Sequence, residues 1–166
     1  MNKVAYISGA LSAAPNLAVV RDLYSQFAAA CTHSGWEGYL PHQNTDPERS
    51  SELSATSVAM RDVAEIVRCD AMVIYVGIPS LGVGAEIMLG MHLGKPMLIM
   101  CEHTSEFSRF VRGIVDAYSK ARIVPYSSLE DAQGQISNWL VTTRNMSDNQ
   151  PLNGLEQVTR NLLATD

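Results

Sequence analysis

The chain has 166 residues, 46% of them hydrophobic and 17% charged, with a formal net charge of -5. That length suits one domain able to bury roughly two-thirds of its unfolded surface, so folding requires neither a disulfide nor a metal. The negative balance argues against a nucleic-acid groove, while a small anion can still be held by backbone N–H groups.

Cys31, Cys69 and Cys101 are odd in number and widely spaced, as expected of reduced thiols in the cytoplasm. The apolar stretch from Val4 to Ser8 is too short for a signal peptide. No run approaches the roughly 20 apolar residues of a membrane span, so no membrane partner is expected.

Val4 to Ile7 reads as a buried strand ended by Ser8-Gly9. Asn16 can cap a helix running to about His33, with Leu17, Val20, Tyr24 and Phe27 on one face. Trp36 to Leu40 is a second strand, and the polar stretch from Pro41 to Ser54 a long loop of the kind often tied to function. A second helix is predicted over Ala55 to Arg68, with Val58, Ala59, Asp62, Ile66 and Cys69 at helical spacing. Ala71 to Val76 is the clearest strand. Then come a helix over Gly82 to Leu93, a strand over Pro96 to Cys101, a helix over Phe107 to Tyr118, a short strand over Arg122 to Val124, and a helix over Leu129 to Thr142. Met146 to Gly154 reads as a polar linker, and Leu155 to Leu163 as a short terminal helix able to pack on a partner subunit.

Strand and helix alternate, and the strands are continuous apolar runs, the pattern of a parallel sheet covered on both faces. A doubly wound, flavodoxin-like or Rossmann-like α/β fold of order 2-1-3-4-5 is expected, with ligands beyond the carboxyl ends of the first and third strands. Those ends are Ser8-Gly9 and the segment from Gly77 to Gly84.

Two glycines, Gly82 and Gly84, stand between that third strand and its helix. They either allow tight strand–helix packing or let N–H groups approach an anion, with Ser80 adding a hydroxyl. Glu86 follows in the predicted first turn, where the helix dipole would keep a carboxylate ionised and fit for nucleophilic work. A second carboxylate is needed for acid–base chemistry at a glycosidic centre. Asp62, on the stripe of Val58 and Ile66, is one candidate; Asp70, at the amino end of its strand, reads better as a turn residue. Tyr6 is either a core tyrosine or a group presented at the switch point, and His42 lies in a loop able to reach a ligand. The remaining histidines have no metal-ligand spacing, so neither a metal nor a cofactor is expected.

Tyr6-Ile7-Ser8-Gly9, Arg61-Asp62, Cys69-Asp70, Gly84-Ala85-Glu86-Ile87 and Leu93-Gly94-Lys95-Pro96 together resemble the nucleoside 2-deoxyribosyltransferase-like family. Pro79 to Glu86 is most similar to its branch of 2′-deoxynucleoside 5′-monophosphate N-hydrolases, and Ser108-x-x-Val111-Arg112-Gly113 matches a phosphate-side motif of that branch. The resemblance spans about residues 3 to 142. It implies that Glu86 attacks C1′ to give a glycosyl-enzyme, that Asp62 protonates the leaving base or orients the sugar, and that Tyr6 sits near the 2′ carbon. Gly9, His42 and Gly84 would lie around the substrate; Ser80, Gly82 and Ser108 would bind the 5′-phosphate. Ser108 would reach across from the partner of a homodimer or dimer of dimers.

Two positions depart from the family pattern: Ser12 stands where the hydrolase branch has arginine, and Met88 where many relatives have glycine. The implied organisation is a catalytic domain over residues 1–144 with a tail over 145–166. The implied activity is hydrolysis of nucleoside 5′-monophosphates. Base exchange on deoxynucleosides, and nucleotide binding without catalysis, are the alternatives.

Overall fold

A computed structural model describes residues 2–12, 14–103, 108–144 and 154–163. Five strands, β1 (Val4–Ser8), β2 (Glu37–Tyr39), β3 (Ala71–Tyr75), β4 (Met97–Glu102) and β5 (Ala121–Tyr126), pair in parallel throughout. Their order is β2-β1-β3-β4-β5, as the alternating pattern predicts. The central strands β1 and β3 are buried at every position, which is why they read as unbroken apolar runs.

Helix α1 (Leu17–His33) starts at Asn16, whose Oδ1 accepts from the N–H groups of Ala18 and Val19. It packs with α5 (Leu129–Arg144) on one face, over Ala5, Ile7, Val73 and Leu98. Helices α2 (Ala55–Arg68), α3 (Leu81–His92) and α4 (Arg109–Ala117) lie on the other face, where the core includes Tyr6, Ile74, Ile87 and Ile99. Side chains alternate along each strand between these two cores. Gly94, at φ 71°, ends α3 in the left-handed conformation, with Lys95 N–H donating back to Gly90 O.

Several boundaries move. β5 extends beyond the expected Arg122 to Val124 because an edge strand leaves alternate residues, Arg122 among them, outside. The loop after β2 contains a 3-10 turn at Pro41–Gln43. The expected helix start at Phe107 and the linker residues 146–153 lie outside the described residues. The terminal helix α6 (Gly154–Leu163) packs on α3 and α4 of its own chain, with Asn161 Nδ2 donating to Ala117 O at 2.7 Å. No helix among the described residues is long and apolar enough to cross a membrane.

Candidate active site

β1 and β3 are neighbours, and the segments leaving their carboxyl ends diverge into α1 and α3. The gap between those segments is a cleft of about 690 Å³, walled also by the loop before α2. Gly9, Ser12, Asp62, Ser80, Gly82 and Glu86 all line it. At Gly9 the chain passes directly over the ring of Tyr24, so that any Cβ would overlap it; the Tyr24 hydroxyl donates to Ala10 O at 2.9 Å.

Glu86 stands at the centre. α3 begins at Leu81 with Ser80 as its N-cap, so Glu86 falls in the second turn and not in the first. The field of a helix end fades within one turn, so the dipole is not what holds this carboxylate. Two hydroxyls do so. Tyr6 Oη donates to Oε1 at 2.9 Å and Ser8 Oγ to Oε2 at 2.5 Å. Burial pushes the Glu86 carboxyl above its ordinary range, the Ser8 and Tyr6 hydroxyls pull it back, and the charge of Asp62 pushes it up again. Burial, then the charges of Glu86 and Asp62, drive the Tyr6 hydroxyl far above its ordinary value, so it stays a neutral donor. The Tyr6 ring stacks on Tyr39 at 5.7 Å between centroids.

Asp62 reaches the cleft from α2, half-buried, and its Oδ1 accepts from Thr45 Oγ1 at 3.1 Å. Burial pushes the Asp62 carboxyl up; the Thr45 hydroxyl draws it down. Asp70 lies at the opposite end of the sheet, where its carboxylate accepts the Val4 N–H at 2.7 Å.

The remaining expected residues are divided. Ser80 Oγ accepts from the Val83 N–H at 3.4 Å as the helix cap, and its own proton can still be donated. The Gly84 N–H is already committed to Ser80 O at 3.2 Å, and Gly84 lines a second groove, so it is not the anion donor expected of it. Ser108, the exposed N-cap of α4, also lies in that second groove. His42 does not line the cleft; it is buried against Tyr24, among the described residues Nδ1 has no hydrogen-bond partner, and burial pushes the imidazole below its ordinary value.

Ser8 and Thr45 were not anticipated. Ser8 had a signal: it sits two residues after Tyr6, hence on the same strand face. Thr45 had none, because its partner is 17 residues away across an irregular loop.

All twelve Lys and Arg residues are among those described, and none lines the cleft, which instead holds Asp46, Asp62 and Glu86. Among the described residues no group of three His, Cys, Asp or Glu is arranged to hold a metal ion.

The family model for nucleoside 2-deoxyribosyltransferase matches residues 6–154. The chain belongs to that family. A protein of Thermofilum pendens (strain DSM 2475 / Hrk 5), provisionally named 2′-deoxynucleoside 5′-phosphate N-hydrolase 1, is 31% identical over 90 residues, 53% of this chain and 62% of that protein. The match thus spans less than two-thirds of that relative. The fold is shared with the Clostridium botulinum CMP N-glycosidase BcmB, at TM-score 0.63 and 16% identity, over 82% of this chain and 99% of that one. It is shared too with a 2-desoxiribosyltransferase from Leishmania mexicana, at TM-score 0.54 and 17% identity, over 82% and 97%. Within the deoxyribosyltransferase family, this member thus combines a hydroxyl-braced Glu86 with a cleft devoid of cationic side chains.

Proposed function

We propose that the protein cleaves the N-glycosidic bond of a nucleoside or nucleoside 5′-monophosphate through a covalent glycosyl-Glu86 intermediate. The observation that carries this reading is the pair of hydroxyl donors, Tyr6 and Ser8, that orient an otherwise desolvated carboxylate in the cleft. A carboxylate oxygen of Glu86 attacks C1′ as the C1′–N bond breaks. The bonding pair leaves with the base, which takes a proton from Asp62. The positive charge that develops at C1′ is stabilised by the adjacent carboxylate. Water then attacks C1′, gives its proton to Asp62 and releases Glu86, with net retention at C1′. On this reading Tyr6, which bonds the nucleophile, would sit near the 2′ carbon, as the family resemblance implies, and disfavour a bulky substituent there.

For hydrolysis of a 5′-monophosphate, the phosphate falls to Ser80 and the Gly82 N–H, and to Ser108 of a second copy. Groups around the separate groove support that assembly: Leu81 is 96% exposed and Phe110 75% exposed, both bordering it with Ser108. We read this exposed apolar surface as an interface between chains. Base exchange on a free deoxynucleoside is the second reading. The cleft's lack of any Lys or Arg favours it, since an uncharged 5′-hydroxyl needs no counter-charge.

The test is chromatographic base release from all common nucleosides and nucleotides, with and without a second free base. Base release by the wild type and loss of at least ~10²-fold in kcat by Glu86→Ala are expected. Exchange products select the transferase reading. Substantial turnover by Glu86→Ala, or an inverted product in methanol, refutes the nucleophile.

A further inference from the structure

The third carboxylate bordering the cleft, Asp46, is held unlike the other two. Its Oδ1 accepts from Arg21 Nη2 at 2.6 Å and from the N–H groups of Glu48 and Arg49 at 2.9 and 3.0 Å; its Oδ2 accepts from Arg21 Nε at 2.7 Å. The Asp46 side chain has no exposed surface, and that of Arg21 is 14% exposed. A two-pronged guanidinium–carboxylate pair fixes geometry as well as charge. With its oxygens so engaged, Asp46 has nothing to offer a substrate. It is an anchor, tying the irregular segment between β2 and α2 to the flank of α1.

The residue beside that anchor is Thr45, 6% exposed, whose hydroxyl meets Asp62. Thr45 Oγ1 also lies 3.0 Å from Pro41 O, but that carbonyl already accepts from the N–H groups of Asn44 and Thr45, both at 2.8 Å. Two acceptors thus compete for the single hydroxyl proton of Thr45. The Asp62 carboxylate, charged and with no other donor among the described residues, is a stronger acceptor than a carbonyl that already accepts two N–H groups. We propose that Thr45 is the positioning residue for Asp62, and that Arg21, acting through Asp46, holds Thr45 in place. The inference rests on the acid–base role of Asp62 given above.

The physical consequence has two parts. One hydrogen bond selects, among the staggered rotamers of Asp62, the one directed to the cleft. A donor to the carboxylate also favours its charged form, which offsets burial and keeps the proton exchangeable. The titratable groups that interact with Asp62 are Glu86 from α3, Tyr6 from β1 and Tyr39 from β2; Asp46, paired with Arg21, borders the same cleft. Among the hydrogen bonds of the described residues, only that of the Thr45 hydroxyl is donated to Asp62.

The experiment is a carbon-13 NMR titration of the Asp62 carboxyl in the full chain, paired with the pH dependence of kcat for base release. Thr45→Val removes the donor at nearly constant volume and should move the Asp62 titration to higher pH. Thr45→Ser should return it to the wild-type position. Arg21→Gln, which leaves Thr45 intact, should shift it in the same direction as Thr45→Val. In both variants kcat should fall by roughly 10-fold or more, the loss expected when a charge-assisted hydrogen bond is removed, with KM little changed. An unmoved Asp62 titration in Thr45→Val overturns the positioning role; movement in Thr45→Val but not in folded Arg21→Gln overturns the part given to Arg21. Should Arg21→Gln fail to fold, Arg21→Lys, which keeps the charge and loses the fork, gives the same readout. If the wild type releases no base from any substrate, the glycosidic reading falls, while the titration still decides the Thr45 contact without turnover.

Discussion

Tyr6 and Glu86, 80 residues apart in the chain, meet in a 2.9 Å hydrogen bond where the ends of β1 and β3 face α3. This bond and its companion from Ser8 oppose the burial that pushes the Glu86 carboxyl above its ordinary range. Tyr6→Phe removes one donor and leaves the other, so the Glu86 carboxyl should rise further. The proposed reaction needs the carboxylate, so on that reading activity rises as pH passes upward through its pKa. The acid limb of kcat/KM against pH should therefore move to higher pH in Tyr6→Phe. At neutral pH the rate should fall by about 10-fold or more, since a hydrogen bond to a charged group is worth ~1.5–3 kcal/mol. An unmoved limb would mean that Glu86 is not the group being titrated.

Ser80 has an observed role as a cap and a proposed one at the phosphate, and the two can be separated. As N-cap it bonds the Val83 N–H, so Ser80→Ala should lower stability by about 1 kcal/mol, read as a shift in denaturant midpoint. As a phosphate donor it should affect only charged substrates. KM for a deoxynucleoside 5′-monophosphate should then rise more than KM for the matching nucleoside. Equal rises would remove Ser80 from the phosphate site.

The apolar groove beside α3 and α4 predicts self-association. Phe110→Glu, placed on a side chain 75% exposed, should leave the fold intact and convert the assembly to monomer by sedimentation. If Ser108 serves a neighbouring cleft, the monomer should lose phosphate-dependent affinity as well. A wild type that is monomeric and fully active at working concentration defeats both expectations.

The Arg21–Asp46 pair predicts a specific acid sensitivity. The Arg21 guanidinium, helped by the N–H groups of Arg49 and Glu48 and opposed by burial, holds the Asp46 carboxyl at about 2, below its unfolded value. A depressed folded-state pKa stabilises the protein above the unfolded pKa, and that stability is lost as pH falls toward about 2. Asp46→Asn should thus be less stable than wild type at pH 6, and the gap should narrow between pH 4 and pH 2. Thermal melts across that range measure it. A gap independent of pH would show that the carboxylate charge is not what secures the loop.

The sequence alone determined the layer order, the strand count and the place of the cleft, because those follow from short-range regularities. Val4 to Ile7 and Ala71 to Val76 read as buried parallel strands since both faces of each are covered. Asn16 announced its helix through a side chain that bonds within three residues. Glu86 and Asp62 were legible as cleft residues because helical spacing and the switch point fix which end of the sheet they occupy.

What only the tertiary structure decided is how each carboxylate is held. Ser8 and Tyr6 reach Glu86 across a gap of 78 and 80 residues, and Arg21 saturates Asp46 across 25. His42 lies off the cleft for the same reason, since its packing on Tyr24 joins two separate segments, whereas the Gly84 N–H is taken up locally by Ser80 O. Local periodicity reports which face is apolar. It does not report which hydroxyl meets which carboxylate, because that contact exists only once separate elements have packed and excluded water between them.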